Sequence, residues 1–246
     1  MRGFLWILLL VSTQLNAQAP RIICADIAPY CSSENGVSSG LVFDIGKEIV
    51  KRIDAKSTIE ILPFSRALHA VQTEKRVFSL WLGRTPEREK TVKWIAPLVS
   101  DAFYIYTNKD KPVVTTIDQA RELGILATFA TKTNIQAASN HGLVHIETSS
   151  SHISNGKKLL AGRVDGWVTT ELIAQHFLST QKLDGHQLAK GVKLMDFNVY
   201  LSASLDTDAE TIQKWAETLH AMRQDGSLRG IMLRHQVPER QFSDLR

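Results

Sequence analysis

The sequence predicts an α/β protein built as two lobes, each a mainly parallel sheet flanked by helices, with a ligand cleft between them. Three observations carry this expectation. Beyond the first twenty residues, short β-like runs alternate with segments of helical period. A polar stretch, "TNKDKP" at 107–112, interrupts the alternation, which then restarts. The chain of 246 residues is long enough for one large domain or two of about 100 residues each.

The elements follow in order. The opening "MRGFLWILLLVSTQLNAQAP" carries Arg2, an apolar core from Phe4 to Val11 and a small-residue end, the pattern of a secretory signal peptide. Cleavage is expected after Ala17, because Pro20 would hinder a cut at Ala19. The apolar run is too short to span a bilayer as a helix, and no cysteine follows in a lipobox pattern. A soluble mature protein is expected, periplasmic in a diderm host. "RIICA" (21–25) is β-like, and Leu41, Ile45, Ile49 and Ile53 then recur every four residues on one helical face. "STIEIL" (57–62) precedes Pro63, which opens a helix with Phe64, Leu68 and Val71 on one side. "VFSLWL" (77–82), a short helical turn from Pro86 and "AFYIY" (102–106) complete the first half.

After the break come "GILAT" (124–128), a polar helix to about Asn140, "LVHIE" (143–147) and a helix to Leu160. "VDGWV" (164–168), a helix to about Thr180, "VKLM" (192–195) and "NVYLSASL" (198–205) follow. The last helix carries Ile212, Trp215, Leu219 and Met222 on one stripe and stops at Asp225-Gly226.

Composition excludes several functions. Formal net charge is +4, falling to +3 without Arg2, and the basic residues are scattered, so no nucleic-acid partner is expected. His141, His145 and His152 do not share a helix face, and no metal or other cofactor is expected. "SNGK" (154–157) and "KTN" (132–134) stand in the reverse of the serine β-lactamase order, and there is no G-x-S-x-G or glycine-rich phosphate loop. No catalytic constellation emerges, so the chain does not read as an enzyme. Cys24 and Cys31 either pair in an oxidising compartment or stay as two thiols; spacing leaves this open.

Ligands of open α/β sheets sit beyond the carboxyl ends of the strands, so the strand-to-helix junctions are the candidate site. In "GRTPEREK" (83–90) Thr85 is an N-cap, Pro86 the first helical residue, and Arg88 lies in the first turn, where the helix dipole disfavours a cation. Either Arg88 pairs with Glu87 or Glu89 at the surface, or it grips an anionic ligand through its guanidinium fork.

The succession "GLVFDIGKEI" (40–49), "LPFSRALHAV" (62–71), "GRTPEREKTVKWIAPL" (83–98), "AGRVDGWVTTE" (161–171) and "LHAMRQDGSLRGIM" (219–232) resembles the family 3 bacterial periplasmic solute-binding proteins, the polar amino-acid-binding type of ABC transporters. The resemblance covers essentially the whole mature chain. It implies a type II periplasmic binding protein fold, with 18–106 plus 200–246 as one lobe, 107–199 as the other, and crossover strands as a hinge. It also implies that Arg88 holds the ligand carboxylate and that Ala130 and Thr131 add contacts from the second lobe. Tyr30, Phe64 and Trp81 are candidates to pack on the ligand, or ordinary core residues. Arg66 is a candidate second cation, or a solvated helix residue.

Three departures bear on the ligand. The position where the family holds the ligand ammonium with an aspartate is Thr170, and a neutral hydroxyl is a poor partner for an ammonium. Bulky "LWLG" replaces small polar residues before the arginine turn, and Phe78 stands where a first-lobe aspartate is expected. The expected role is capture of a small anionic or zwitterionic solute for a membrane permease, by a monomer. A sensory protein acting with a membrane receptor is the alternative, and a secreted hydrolase a remote third.

Overall fold

The computed structural model describes residues 19–53 and 57–242; the expected signal peptide lies outside them. The first strands are β1 (Arg21–Ala25) and the hairpin β2 (Ser32–Glu34) and β3 (Val37–Ser39), followed by α1 (Leu41–Arg52). Then come β4 (Ile59–Leu62), α2 (Phe64–Thr73), β5 (Val77–Gly83), a 3₁₀ turn at Pro86–Arg88, and β6 (Lys93–Asn108). The second half holds α3 (Ile117–Arg121), β7 (Leu126–Phe129), α4 (Lys132–Ser139), β8 (Ile146–Ser149), α5 (His152–Leu160), β9 (Gly166–Thr170) and α6 (Glu171–Thr180). β10 (Leu188–Ala203), α7 (Ala209–Gln224) and α8 (Ser227–Arg234) close the chain, with a last 3₁₀ turn at Glu239–Gln241.

One sheet runs through both lobes in the order β4-β1-β5-β10-β6-β9-β7-β8. The outer strands of each lobe pair in parallel, as the alternating pattern requires. β10 runs antiparallel to β5 and β6, and β6 antiparallel to β9. The segments 102–106, 192–195 and 198–205 are therefore parts of two 16-residue strands rather than separate short ones. A strand that crosses between lobes is half-exposed over much of its length, so its apolar pattern is broken and reads as fragments.

The α1 stripe is buried as its period requires, with Leu41, Ile45 and Ile49 almost inaccessible. Its amino end is capped by backbone carbonyls: Leu41 N donates to Pro29 O at 3.0 Å and Val42 N to Tyr30 O at 2.9 Å. This close approach needs Gly40, whose φ is +130° and on which a Cβ would lie 2.4 Å from Tyr30 O. Cys24 and Cys31 are joined in a disulfide across the same loop. The α7 stripe buries Trp215, Leu219 and Met222, and Gly226 takes φ +78° just after the helix.

Phe78 stacks on Trp215 at 4.1 Å between centroids, both fully buried. The side chain at the position expected to be acidic thus belongs to the core. Trp215→Ala is expected to destabilise the protein by about 3–5 kcal/mol, read as a lowered urea midpoint with an unchanged slope.

Candidate functional site

The carboxyl ends of β1, β5, β7 and β9 converge on a chamber of about 20 Å³, room for roughly one water-sized group. Ile27, Phe64, Trp81 and Arg88 line it from the first lobe, and Phe103 and Phe197 from the crossover strands. Phe129, Thr131, Thr133, Asn134, Thr170 and Ile173, with His152, complete it from the second. An outer vestibule of about 340 Å³ shares Ile27, Phe129, His152 and Ile173 with the chamber.

Arg88 stands at the end of the 3₁₀ turn begun by Pro86, shorter than the helix its sequence suggests. Its Nη1 donates to Gly83 O at 2.8 Å, and its guanidinium lies 5.6 Å from the Phe64 ring centroid. The flanking glutamates are engaged elsewhere. Glu89 takes a two-pronged contact from Arg84 at 2.8 and 3.0 Å, and Glu87 faces Lys132 Nζ at 3.6 Å and Gln136 Nε2 at 3.3 Å on α4. Among the described residues Arg88 has no carboxylate partner. Burial lowers its pKa against the opposing charge of Glu87, yet a guanidinium stays charged.

Across the chamber Thr131 caps α4: its Oγ1 accepts from Asn134 N at 3.3 Å and donates to Asn134 Oδ1 at 2.6 Å. Thr133 and Asn134, in the first turn, are buried against the chamber, so the positive end of the α4 dipole adjoins it. His152 stacks on Phe129 at 4.3 Å and 10°, and its buried Nδ1 has no partner. Burial, reinforced by the nearby His176, pushes its pKa down to about 3, so the ring is neutral at physiological pH.

Behind Thr170 lies Asp101, 5% exposed, in the crossover strand β6. Its Oδ1 accepts from Ala102 N (2.8 Å), Glu171 N (3.2 Å) and Gln241 Nε2 (3.4 Å). Its Oδ2 accepts from Tyr30 Oη (3.0 Å) and Leu172 N (3.2 Å). The free N-H groups at the start of α6 are thus met by an internal anion. Glu171 beside it is held by Lys190 at 3.0 Å and by Arg240; burial opposes its ionisation, but these cations outweigh it and its pKa falls.

Of the candidates from sequence, Arg88, Thr131, Thr170, Phe64 and Trp81 come together at the chamber. Three do not. Tyr30 is sealed in the core, its hydroxyl bound to Asp101 and 3.2 Å from Thr170 Oγ1, so it braces the lobes instead of facing a ligand. Arg66 is exposed on α2 and lines no part of the chamber, because its position follows the solvent side of that helix. Ala130 is exposed, and its N-H is spent on Ser149 O at 2.9 Å. Sequence reasoning missed Phe129, Thr133 and Asn134, whose place at the β7–α4 junction was the available signal. It also missed Phe103, Phe197 and Asp101, which lie inside long strands and carry no local signal.

Burial pushes the Asp101 pKa up to about 6 against the opposing hydrogen bonds, from an ordinary 3.8. A raised carboxyl pKa means the folded state binds more protons, so this contribution to stability is complete below about 3.8 and lost as pH rises through about 6. Asp101→Asn is expected to abolish that fall in unfolding free energy between pH 4 and 6. It should also lower stability overall by about 1–3 kcal/mol, because one amide cannot accept every donor now aimed at the carboxylate. Urea unfolding across pH checks both.

The chain matches the bacterial extracellular solute-binding proteins, family 3, over residues 22–236. It is 25% identical over 208 residues to a protein of Bacillus subtilis (strain 168) named probable amino-acid-binding protein YxeM, covering 82% of this chain and 78% of that one. A histidine kinase sensor domain with similarity to periplasmic binding proteins superposes with TM-score 0.77 at 14% identity, covering 87% of this chain and 95% of the other. An ancestral arginine-binding protein bound to arginine gives 0.75 at 18% identity, with 88% and 98% covered. An ancestral amino-acid-binding protein, a precursor of cyclohexadienyl dehydratase, gives 0.73 at 20%, with 88% and 94% covered. At these identities the solved structures establish the two-lobed fold, and the family match settles membership: the chain belongs to the bacterial extracellular solute-binding proteins, family 3.

Proposed function

We propose that the protein is a periplasmic receptor that captures a small anionic or zwitterionic, amino-acid-like solute between its lobes and presents it, as a monomer, to an ABC-type permease. The observation that carries this reading is Arg88, a guanidinium at the chamber wall with no carboxylate partner among the described residues although Glu87 and Glu89 flank it in sequence. Arg88 has used one of its five N-H donors on Gly83 O. The remaining donors suit a carboxylate, with the α4 amino end adding favourable potential from the opposite lobe. In this reading Thr131 and Thr170 close on the ligand from the second lobe, while Phe64 and Trp81 pack against it.

The proposed lobes are 18–106 with 200–246, and 107–199. Strand pairing supports moving the first crossover a few residues earlier, since Phe103–Tyr106 of β6 already pair with β9. Opening would then pivot near Asp101. The likeness to a histidine kinase sensor domain supports a second reading, in which the closed form is read by a membrane receptor. Binding without turnover is part of the proposal: a solute recovered chemically unchanged after prolonged incubation supports it, and its consumption would point to a secreted hydrolase.

Thermal shifts against amino acids, hydroxy acids, dicarboxylates and sugars test the reading. A ligand at 100 times its dissociation constant adds about 2.7 kcal/mol, a rise of several degrees. Arg88→Ala is expected to lose that rise while keeping the unliganded melting temperature within about 2 °C; unchanged affinity would remove Arg88 from the site.

A further inference from the structure

We infer that the cleft takes a monocarboxylate with an aromatic or branched apolar body and no ammonium group, a simple or 2-hydroxy acid rather than an α-amino acid. This rests on the reading of Arg88 as the anion anchor and narrows the ligand class of that site.

The chamber wall carries one cation and no carboxylate. Its other polar groups are the hydroxyls of Thr131, Thr133 and Thr170, the Asn134 amide and the neutral His152 ring. An ammonium enclosed there would lose its hydration with no opposite charge in return, beside a fixed guanidinium of the same sign. Asp101, behind Thr170, does not meet the need. Both its oxygens are taken by five donors from the protein itself, and the Tyr30 and Thr170 side chains stand between it and the cleft.

At Thr170 the hydrogen-bond polarity fixes an acceptor, which meets a donating ligand group of either kind, so the lack of a carboxylate in the chamber wall is what discriminates against an ammonium. Tyr30 Oη donates to Asp101, so it accepts from Thr170 Oγ1 at 3.2 Å. Thr170 is then left with lone pairs only, a partner for a donating ligand group. On the far wall the Trp81 Nε1 is buried without an acceptor, a further donor suited to an anion and not to a cation.

The remaining lining is Ile27, Ile173 and five aromatic rings. Those rings pack mainly edge to face: Trp81 meets Phe64 at 88° and Phe197 at 50°, and Phe103 meets Phe197 at 64°. The Phe64 face is already held by Arg88, so the rings do not form a cage for a second cation. They offer an apolar surface instead, carried past the Phe129–His152 stack by Ile153 and Phe177 in the vestibule, whose carboxylates Asp26 and Glu34 line no part of the chamber at Arg88. The chamber alone is far smaller than a phenyl group, and the vestibule supplies the room.

Calorimetric titration of the mature protein, refolded from denaturant to strip ligand, separates the classes. The probes are 3-phenylpropanoate, 3-phenyllactate and phenylalanine, then 4-methylpentanoate and leucine, and glycine betaine. At least one acid or hydroxy acid is expected to bind about 100-fold more tightly than its amino acid, and Arg88→Gln is expected to erase that binding. An amino acid that equals or surpasses its acid counterpart, or binding of glycine betaine alone, would overturn the ligand class. If that binding still needs Arg88, the anion anchor stands. Acids that bind equally well to Arg88→Gln would overturn the anchor itself. Silence from every probe, with native circular dichroism and melting, also counts against the inferred class.

Discussion

The arrangement hangs on one buried carboxylate. Asp101 sits where β6 passes from the first lobe to the second, opposite Phe197 of β10. It gathers Tyr30 from the disulfide-closed loop, the first N-H groups of α6, and Gln241 from the carboxyl-terminal turn. These donors come from three distant parts of the chain, and Gln241 Nε2 is shared with Glu171 Oε2 at 3.1 Å. A lone carboxylate in such a place is costly unless fully hydrogen-bonded. The surrounding segments are therefore held to their positions by the cost of leaving it bare, and the chamber wall at Thr170 is fixed as a by-product.

A second constraint is the division of charge around the 3₁₀ turn. Three cations and two anions lie within or beside it, and several pairings would neutralise Arg88. The pairing adopted sends Glu89 to Arg84 and Glu87 across to α4. Arg84 is further held over the rings of Trp94 and Tyr200 at 5.4 and 5.3 Å. Exposed pairs of this kind contribute little to stability. Their effect is to leave one guanidinium uncommitted at the cleft, while the contact of Glu87 with Lys132 and Gln136 ties the two lobes at its rim.

Much of this was legible in the sequence wherever a local rule applied. The four-residue stripe of α1, the Asp225-Gly226 stop of α7 and the Pro86 turn each have a short-range cause, and each lies where the pattern puts it, although the turn is 3₁₀. Arg88 stood out because the sequence put a cation early in a helix; the turn instead ends at Arg88, so the residue lines the chamber without the dipole conflict that drew attention to it. Tyr30 stayed open between ligand contact and core because an aromatic residue at a strand end looks the same whether its hydroxyl points to a ligand or to a buried carboxylate. Asp101 and Phe197 were invisible, since their roles depend on two long antiparallel strands meeting in register across more than ninety residues. Arg66, placed as the solvated helix residue that was its alternative reading, and Ala130 lie off the chamber for a simpler reason: a junction sets which residues are near the cleft, while the helix phase and one backbone hydrogen bond decide which face it.

Trp81 occupies a place with a spectroscopic consequence. Its indole lines the chamber, is 8% exposed, has an unpartnered Nε1 and touches the rings of Tyr30, Phe64 and Phe197. The other indoles of the described residues, Trp94, Trp167 and Trp215, lie outside the chamber wall. An indole excited state is sensitive to the field of a nearby charge and to any new acceptor at its nitrogen. The protein therefore carries its own optical gauge of occupancy, one ring whose emission colour and yield report what lies beside Arg88 while the remaining three supply a constant background.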